Sequence, residues 1–100
     1  MSRRSTSDVL AASLETALSR YFGDISVLTH KWVDWRSATF VGARHELRFA
    51  VDRTVAPKLE AITDNDLPLA RGFVADLVVV AKSLEKDGLT VDLEVLTIAD

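Results

Sequence analysis

The stretch of sequence that decides the fold is GFVADLVVVAKSLEKDGLTVDLEVLTI, residues 72–98. Its second part is typical of a strand with one buried face, because apolar and polar side chains alternate strictly. The apolar positions of that part are Leu89, Val91, Leu93 and Val95. Asp87-Gly88 lies just before them and is typical of a tight hairpin turn. The end of the chain is therefore predicted to be a hairpin.

The first part of this stretch, residues 73–84, fits two periods. A helical stripe runs through Leu69, Phe73, Leu77, Ala81 and Leu84. The segment also alternates as in a strand, with one face formed by Phe73, Ala75, Leu77, Val79 and Ala81. Val78–Val80 favours the strand because β-branched side chains lose rotamer freedom in a helix. A helix here would give the order α-β-β-α-α-β of a single-stranded RNA-binding class. That class depends on a glycine-rich loop, whereas the corresponding residues 64–68 are acidic and contain no glycine.

The first half of the sequence predicts a helix followed by two strands. Leu10, Leu14, Leu18 and Phe22 recur every four residues and predict a helix over 8–22, capped by Ser7 or Asp8. Residues 25–35 and 41–51 are predicted strands. The second alternates cleanly, with one apolar face and one polar face; the apolar face holds Val41, Ala43, His45, Leu47, Phe49 and Val51.

A short second helix follows, capped by Thr54, with Pro57 in its first turn. We therefore predict an α+β fold of order α-β-β-α-β-β, a four-stranded antiparallel sheet with two helices on one face. Residues 1–7 are predicted to be a disordered polar tail and residues 8–100 a single domain.

The amino-acid composition argues against several classes of function. The chain has 100 residues, 48% hydrophobic and 27% charged, with a net charge of −3. This balance argues against general nucleic-acid binding, which usually needs a basic face. The absence of cysteine excludes disulfides and thiolate metal sites. The sequence contains no glycine-rich phosphate loop and no histidine spacing typical of a metal site, so no cofactor or metal is expected. No stretch is apolar enough to span a membrane, and a cytoplasmic location is expected.

One histidine, His45, lies on the apolar face of its strand. A buried imidazole can act as a general base, a ligand or a pH switch, although a core histidine with one hydrogen-bond partner is the commoner case. A small enzyme is one hypothesis, and it requires His45 to meet a carboxylate such as Asp34 or Glu46. The remaining carboxylate pairs, such as Asp92 with Glu94, are expected to be solvated surface.

The aromatic and basic residues near the second strand are candidates for a protein interface. Two tryptophans three apart on a strand point to opposite faces, so at most one belongs to the core. Charge is also uneven: residues 1–51 hold seven basic and five acidic side chains, and residues 52–100 hold five and ten. Either this difference in charge supports head-to-tail association of copies, or the two halves differ by chance. The candidate contact residues are Trp32, Trp35, Arg36, Arg44 and Arg48.

The segment WRSATFVGARHELRF, residues 35–49, resembles the middle strand of the small phage tail-terminator and head–tail completion (neck) proteins, which also occur in prophages and gene-transfer agents. Residues 72–98 are similar to the closing hairpin of that family. The resemblance implies a non-enzymatic structural protein that self-associates into a ring or another oligomer and contacts tail-tube or neck proteins, in the cytoplasm or in a virion. It implies no catalytic residues. The alternative is a small α+β binding module for another protein.

Overall fold

The computed structural model describes residues 5–100 as a four-stranded antiparallel sheet with two α-helices. The elements are α1 (Thr6–Phe22), β1 (Ile25–Arg36), β2 (Val41–Val51), α2 (Ala56–Ala61), β3 (Phe73–Glu85) and β4 (Gly88–Ile98). The strands lie in the order β1-β2-β4-β3, so the central pair comes from two different hairpins. The predicted α+β class is confirmed. The order of the elements agrees with the prediction in part, because 3₁₀ turns at Arg53–Val55 and Asp64–Asp66 flank α2. Residues 73–85 form a strand, which removes the helical alternative for this segment.

The first helix begins earlier than predicted. Ser5 is its N-cap: the Ser5 side chain accepts from the Asp8 amide, and the Asp8 carboxylate accepts from the Ser5 amide in return. This capping box satisfies two of the free groups at a helix start, so Ser7 is helical and buried instead of serving as the cap. The predicted tail therefore loses residues 5–7, and residues 1–4 lie outside the described residues.

The second helix is short, as predicted, but Thr54 does not cap it. A 3₁₀ turn at Arg53–Val55 comes first, and the Asp52 side chain accepts from the Thr54 amide. Asp52 therefore caps the 3₁₀ turn, and α2 itself begins after Val55 without a side-chain cap. Leu59 is the one buried residue of α2. Before β3, the chain bends at Gly72, whose φ of +94° favours glycine.

The two central strands, β2 and β4, supply one side of the hydrophobic core. Their alternate side chains are buried, and we call the side of the sheet that carries them the inner face and the opposite side the outer face. In β2 the inner residues are Ala43, His45, Leu47, Phe49 and Val51, and in β4 they are Leu89, Val91, Leu93, Val95 and Thr97. Leu14 and Leu18 of α1 and Leu59 of α2 belong to the same buried cluster. The alternation predicted for both strands is confirmed.

Candidate protein interface

The two outermost strands, β1 and β3, expose most of their length. Val33 and Leu84 are each 62% exposed, and Phe73 is 48% exposed. Other large apolar side chains exposed on these strands are Val27, Leu28, Trp32, Val78 and Val80. An edge strand also presents backbone donors and acceptors that have no partner within the sheet. Each side of the molecule therefore offers apolar side chains beside free hydrogen-bonding groups.

Both edge strands contain β-bulges, which interrupt regular pairing with their neighbours. In β1 the register shifts between Val27 and Thr29. In β3 it shifts between Val74 and Asp76 and again between Val79 and Ala81. Bulges weaken an edge as a template for further pairing. The longest regular segments that remain are residues 29–36 in β1 and residues 81–85 in β3.

The two tryptophans lie on opposite faces of the sheet, as the sequence predicted. Trp32 is opposite the buried His45 and therefore lies on the inner face. Its indole Nε1 donates to Asp8 Oδ1 of α1 at 3.2 Å, and its ring meets the His30 imidazole edge-on at 4.7 Å. Trp35 is opposite Gly42 and lies on the outer face, partly buried. Trp32 is still 37% exposed and Trp35 is only partly buried, so part of each indole remains exposed on the edge strand β1.

The three candidate arginines do not lie together at one edge. Arg36 is exposed at the end of β1. Arg44 and Arg48 are exposed on the outer face of the central strand β2. Arg48 donates through two nitrogens to the Asp92 carboxylate, at 2.7 and 3.1 Å. This hydrogen bond lowers the pKa of Asp92 and raises that of Arg48. The structure therefore groups Arg36 with the tryptophans and places Arg44 and Arg48 on a separate surface.

The inner face contains a chain of hydrogen bonds that joins four elements. Glu15 Oε2 of α1 accepts from His30 Nδ1 of β1 at 2.7 Å. His30 Nε2 lies 3.0 Å from His45 Nδ1, and His45 Nε2 lies 2.8 Å from Thr97 Oγ1 of β4. Thr97 Oγ1 also donates to the Ala43 carbonyl at 3.4 Å. The polar groups in this part of the core are therefore satisfied, as burial requires.

Burial holds His45 in its neutral form. Together with the smaller effect of the neighbouring His30, it lowers the pKa of His45 to about 4. A second proton would make His45 a donor at both ring nitrogens. His45 and Thr97 are 1% and 0% exposed, so a substrate reaches neither side chain in this structure. The arrangement fixes α1 to the sheet and resists protonation.

The enzyme hypothesis requires His45 to meet Asp34 or Glu46, but the hydrogen-bond partners of His45 are His30 and Thr97. Glu46 lies on the outer face, and Asp34 pairs with Ala43, one step further along the sheet. The carboxylate that is linked to His45 by hydrogen bonds is Glu15, through His30. Sequence reasoning missed His30, although a signal existed: a hairpin turn at residues 37–40 sets Trp32 opposite His45 and hence places His30 on the same face.

Comparison with protein-family models, with curated proteins and with solved structures found no match to this chain. Over residues 5–100, no helix is both long and apolar enough to cross a membrane. Within the same residues, no three His, Asp or Glu side chains are arranged to hold a metal ion.

Proposed function

We propose that this protein is a non-enzymatic structural protein that associates with further copies of itself into a ring or another oligomer, as expected for phage tail-terminator or neck proteins. The observation that carries the proposal is the pair of long, exposed and apolar sheet edges. Exposed apolar edge strands favour pairing with another chain. A protein that works alone usually shields such edges, and here both of them leave large apolar side chains exposed.

The direction of the strands supports repeated, head-to-tail pairing. All neighbours in the sheet are antiparallel, and the sheet has four strands, so β1 and β3 run in opposite directions. When a second copy is placed beside the first in the same orientation, its β1 meets β3 of the first in antiparallel fashion. Each copy then continues the sheet of the previous one. Contacts of this kind close into a ring when the rotation between copies allows it.

We infer further that both helices cover the inner face and leave the outer face open. Support comes from the buried cluster, which unites Leu14 and Leu18 of α1 with Leu59 of α2 and the inner residues of β2 and β4. In an oligomer built by edge pairing, the outer faces form one continuous surface. Arg44 on that surface is available to tail-tube or neck proteins, whereas Arg48 already pairs with Asp92.

The composition of the outer face supports a protein partner over nucleic acid. Glu46 and Glu94 lie opposite each other at the centre of this face, and Lys31 lies beside Glu46. A face with both signs of charge has no stripe of positive charge along which a phosphate backbone would bind. The place of action that fits this function is the cytoplasm or an assembled virion.

Size-exclusion chromatography with light scattering tests the proposal. At rising protein concentration and low salt, we expect particles whose mass is a multiple of the 11.0 kDa chain. Salt screens exposed charges, so dissociation is expected to shift to higher protein concentration as salt is added. A monomer at high concentration and low salt contradicts the proposal and leaves the alternative, a binding module that pairs its edge with a segment of another protein.

A further inference from the structure

The charged residues of the two edge strands have complementary order. Along β1 the charges at Lys31, Asp34 and Arg36 run positive, negative, positive. Along β3, followed in the opposite direction, Glu85, Lys82 and Asp76 run negative, positive, negative. The first two charges of each series are three residues apart. Cross-strand neighbours of opposite charge stabilise antiparallel pairs, and like charges destabilise them.

We infer that β1 of one copy pairs with β3 of the next in the register that sets Lys31 opposite Glu85 and Asp34 opposite Lys82. This inference rests on the proposed function. Among the antiparallel alignments of the two strands, this one brings together two oppositely charged pairs and no like-charged pair. Lys82 contacts Glu60 in the free chain, but both are exposed and an ammonium has three donors, so Asp34 can join them.

The same register also matches the faces of the two sheets. Lys31 is in register with Glu46, and Glu85 with Gly88, so both lie on the outer face. Asp34 is in register with Ala43, and Lys82 with Val91, so both lie on the inner face. A shift by one residue would turn every side chain of one copy to the wrong face of the joint sheet. Charge order and face therefore select the same alignment.

Apolar side chains are brought together between the two charged pairs. The register sets Trp32 opposite Leu84 on the inner face, where they are 37% and 62% exposed in the single chain. It sets Val33 opposite Ser83 and the large Trp35 opposite the small Ala81. Aromatic side chains paired with aliphatic ones across strands stabilise a sheet. Pairing therefore covers Val33 and Leu84, the most exposed large apolar side chains among the described residues.

In this register each copy is displaced along the strand direction relative to the previous one, and the size of this stagger suits closure of the joint sheet into a ring. Within one copy, residues that lie directly opposite each other across the sheet form a row. The row that contains Trp32 meets β4 at Val95, and the row that contains Leu84 meets β4 at Leu89. The six steps between them give a stagger of about 20 Å, against a width of about 19 Å for four strands. The strands then tilt by about 45° from the ring axis, close to the tilt of roughly 35–45° in closed barrels.

Disulfide trapping tests the register directly, because the chain has no cysteine of its own. In the variant Val33→Cys/Ser83→Cys, opposite residues of two copies lie within disulfide range. Within one copy these residues lie on opposite edges of the sheet, so any bond links two copies. We expect a ladder of covalent multimers on a non-reducing gel. The matched control is Val33→Cys/Val78→Cys, with the second cysteine on the same strand and face, and it is expected to stay unlinked.

A charge exchange tests the same register without cysteine. Lys31→Glu is expected to raise the concentration needed for assembly about tenfold or more, and adding Glu85→Lys is expected to restore it. Arg53→Glu makes the same change of charge away from both edges and should leave assembly unchanged. If Lys31→Glu behaves like Arg53→Glu, or if the 33/78 pair links instead, the register is wrong and the proposed self-association stands. A wild-type monomer overturns both.

Discussion

The central and edge strands of this sheet differ less in sequence than in environment. Nine of the thirteen residues of β3 are apolar, against six of the eleven in β2. Yet β2 buries four of its six apolar residues, while β3 buries only Val74 of its nine. The apolar content of a strand therefore does not determine its place in the sheet. Alternation with charged residues marks the central strands, and surplus apolar surface marks the edges that remain for a partner.

The largest effect is expected on the free energy of unfolding, when a leucine of a central strand and a leucine of an edge strand are each replaced by alanine. Leu93→Ala on β4 removes a fully buried side chain and should lower the free energy of unfolding by about 2–5 kcal/mol. Leu84→Ala on β3 removes an exposed side chain and should change it by less than about 0.5 kcal/mol. Urea unfolding followed by circular dichroism, in dilute protein at high salt, measures both in the single chain. Equal losses would show that β3 is buried in that chain.

A smaller effect concerns the titration of His45 on β2. Its folded-state pKa of about 4 lies below the ordinary 6.5, so the unfolded chain takes up a proton first as the pH falls. The contribution of neutral His45 is therefore complete above pH 6.5 and is lost toward pH 4. We expect a loss on the order of 2 kcal/mol between pH ~7 and pH ~4.5.

The variant His45→Gln isolates this contribution, because the carboxylates that also titrate at low pH are unchanged. Urea unfolding at both pH values is expected to show a smaller loss for the variant than for the wild type. Nuclear magnetic resonance of the His45 ring gives its pKa independently. A ring that titrates near 6.5 in the folded protein would show that the core does not exclude the charged form.

The smallest expected effect is on the outer face of the central strands. Arg48→Ala removes the pairing with Asp92, but water screens an exposed ion pair well. The urea midpoint should therefore remain within error of the wild-type value. The pKa of Asp92, which Arg48 lowers, should move back toward its ordinary value. Carboxyl titration by nuclear magnetic resonance measures it, and loss of assembly in this variant would move the interface from the edges to this face.

The sequence was sufficient to predict those parts of the fold whose pattern depends on one element alone. The alternation in residues 41–51 and 89–95 predicted both central strands and their buried faces. Val78–Val80 favoured a strand for residues 73–84, although the same segment also fits a helical stripe. The helix starts were predicted less well. Several polar residues could cap the first helix, and only the backbone geometry selects Ser5. The second helix has no side-chain cap, because a 3₁₀ turn capped by Asp52 precedes it.

The features that the sequence could not predict depend on pairs of elements. The bulge between Val27 and Thr29 exists only relative to β2, and the two in β3 only relative to β4. The contact of His30 with His45 requires the register of the first hairpin, and that with Glu15 requires the position of α1 as well. Trp32 and Trp35 were correctly assigned to opposite faces because their spacing alone decides it.

The strand order has a consequence for how the polypeptide acquires its structure during translation. The central strand β4 is the last of the four to be synthesised, and it supplies Leu89, Val91, Leu93 and Val95 to the core. Until it emerges from the ribosome, Leu47 and Phe49 of β2 lack the neighbours that bury them. Nascent chains with such surfaces are prone to aggregate. We therefore expect chaperones to bind a nascent chain whose translation is halted before residue 88. Native folding is expected to begin only after the complete β4 has emerged from the ribosome.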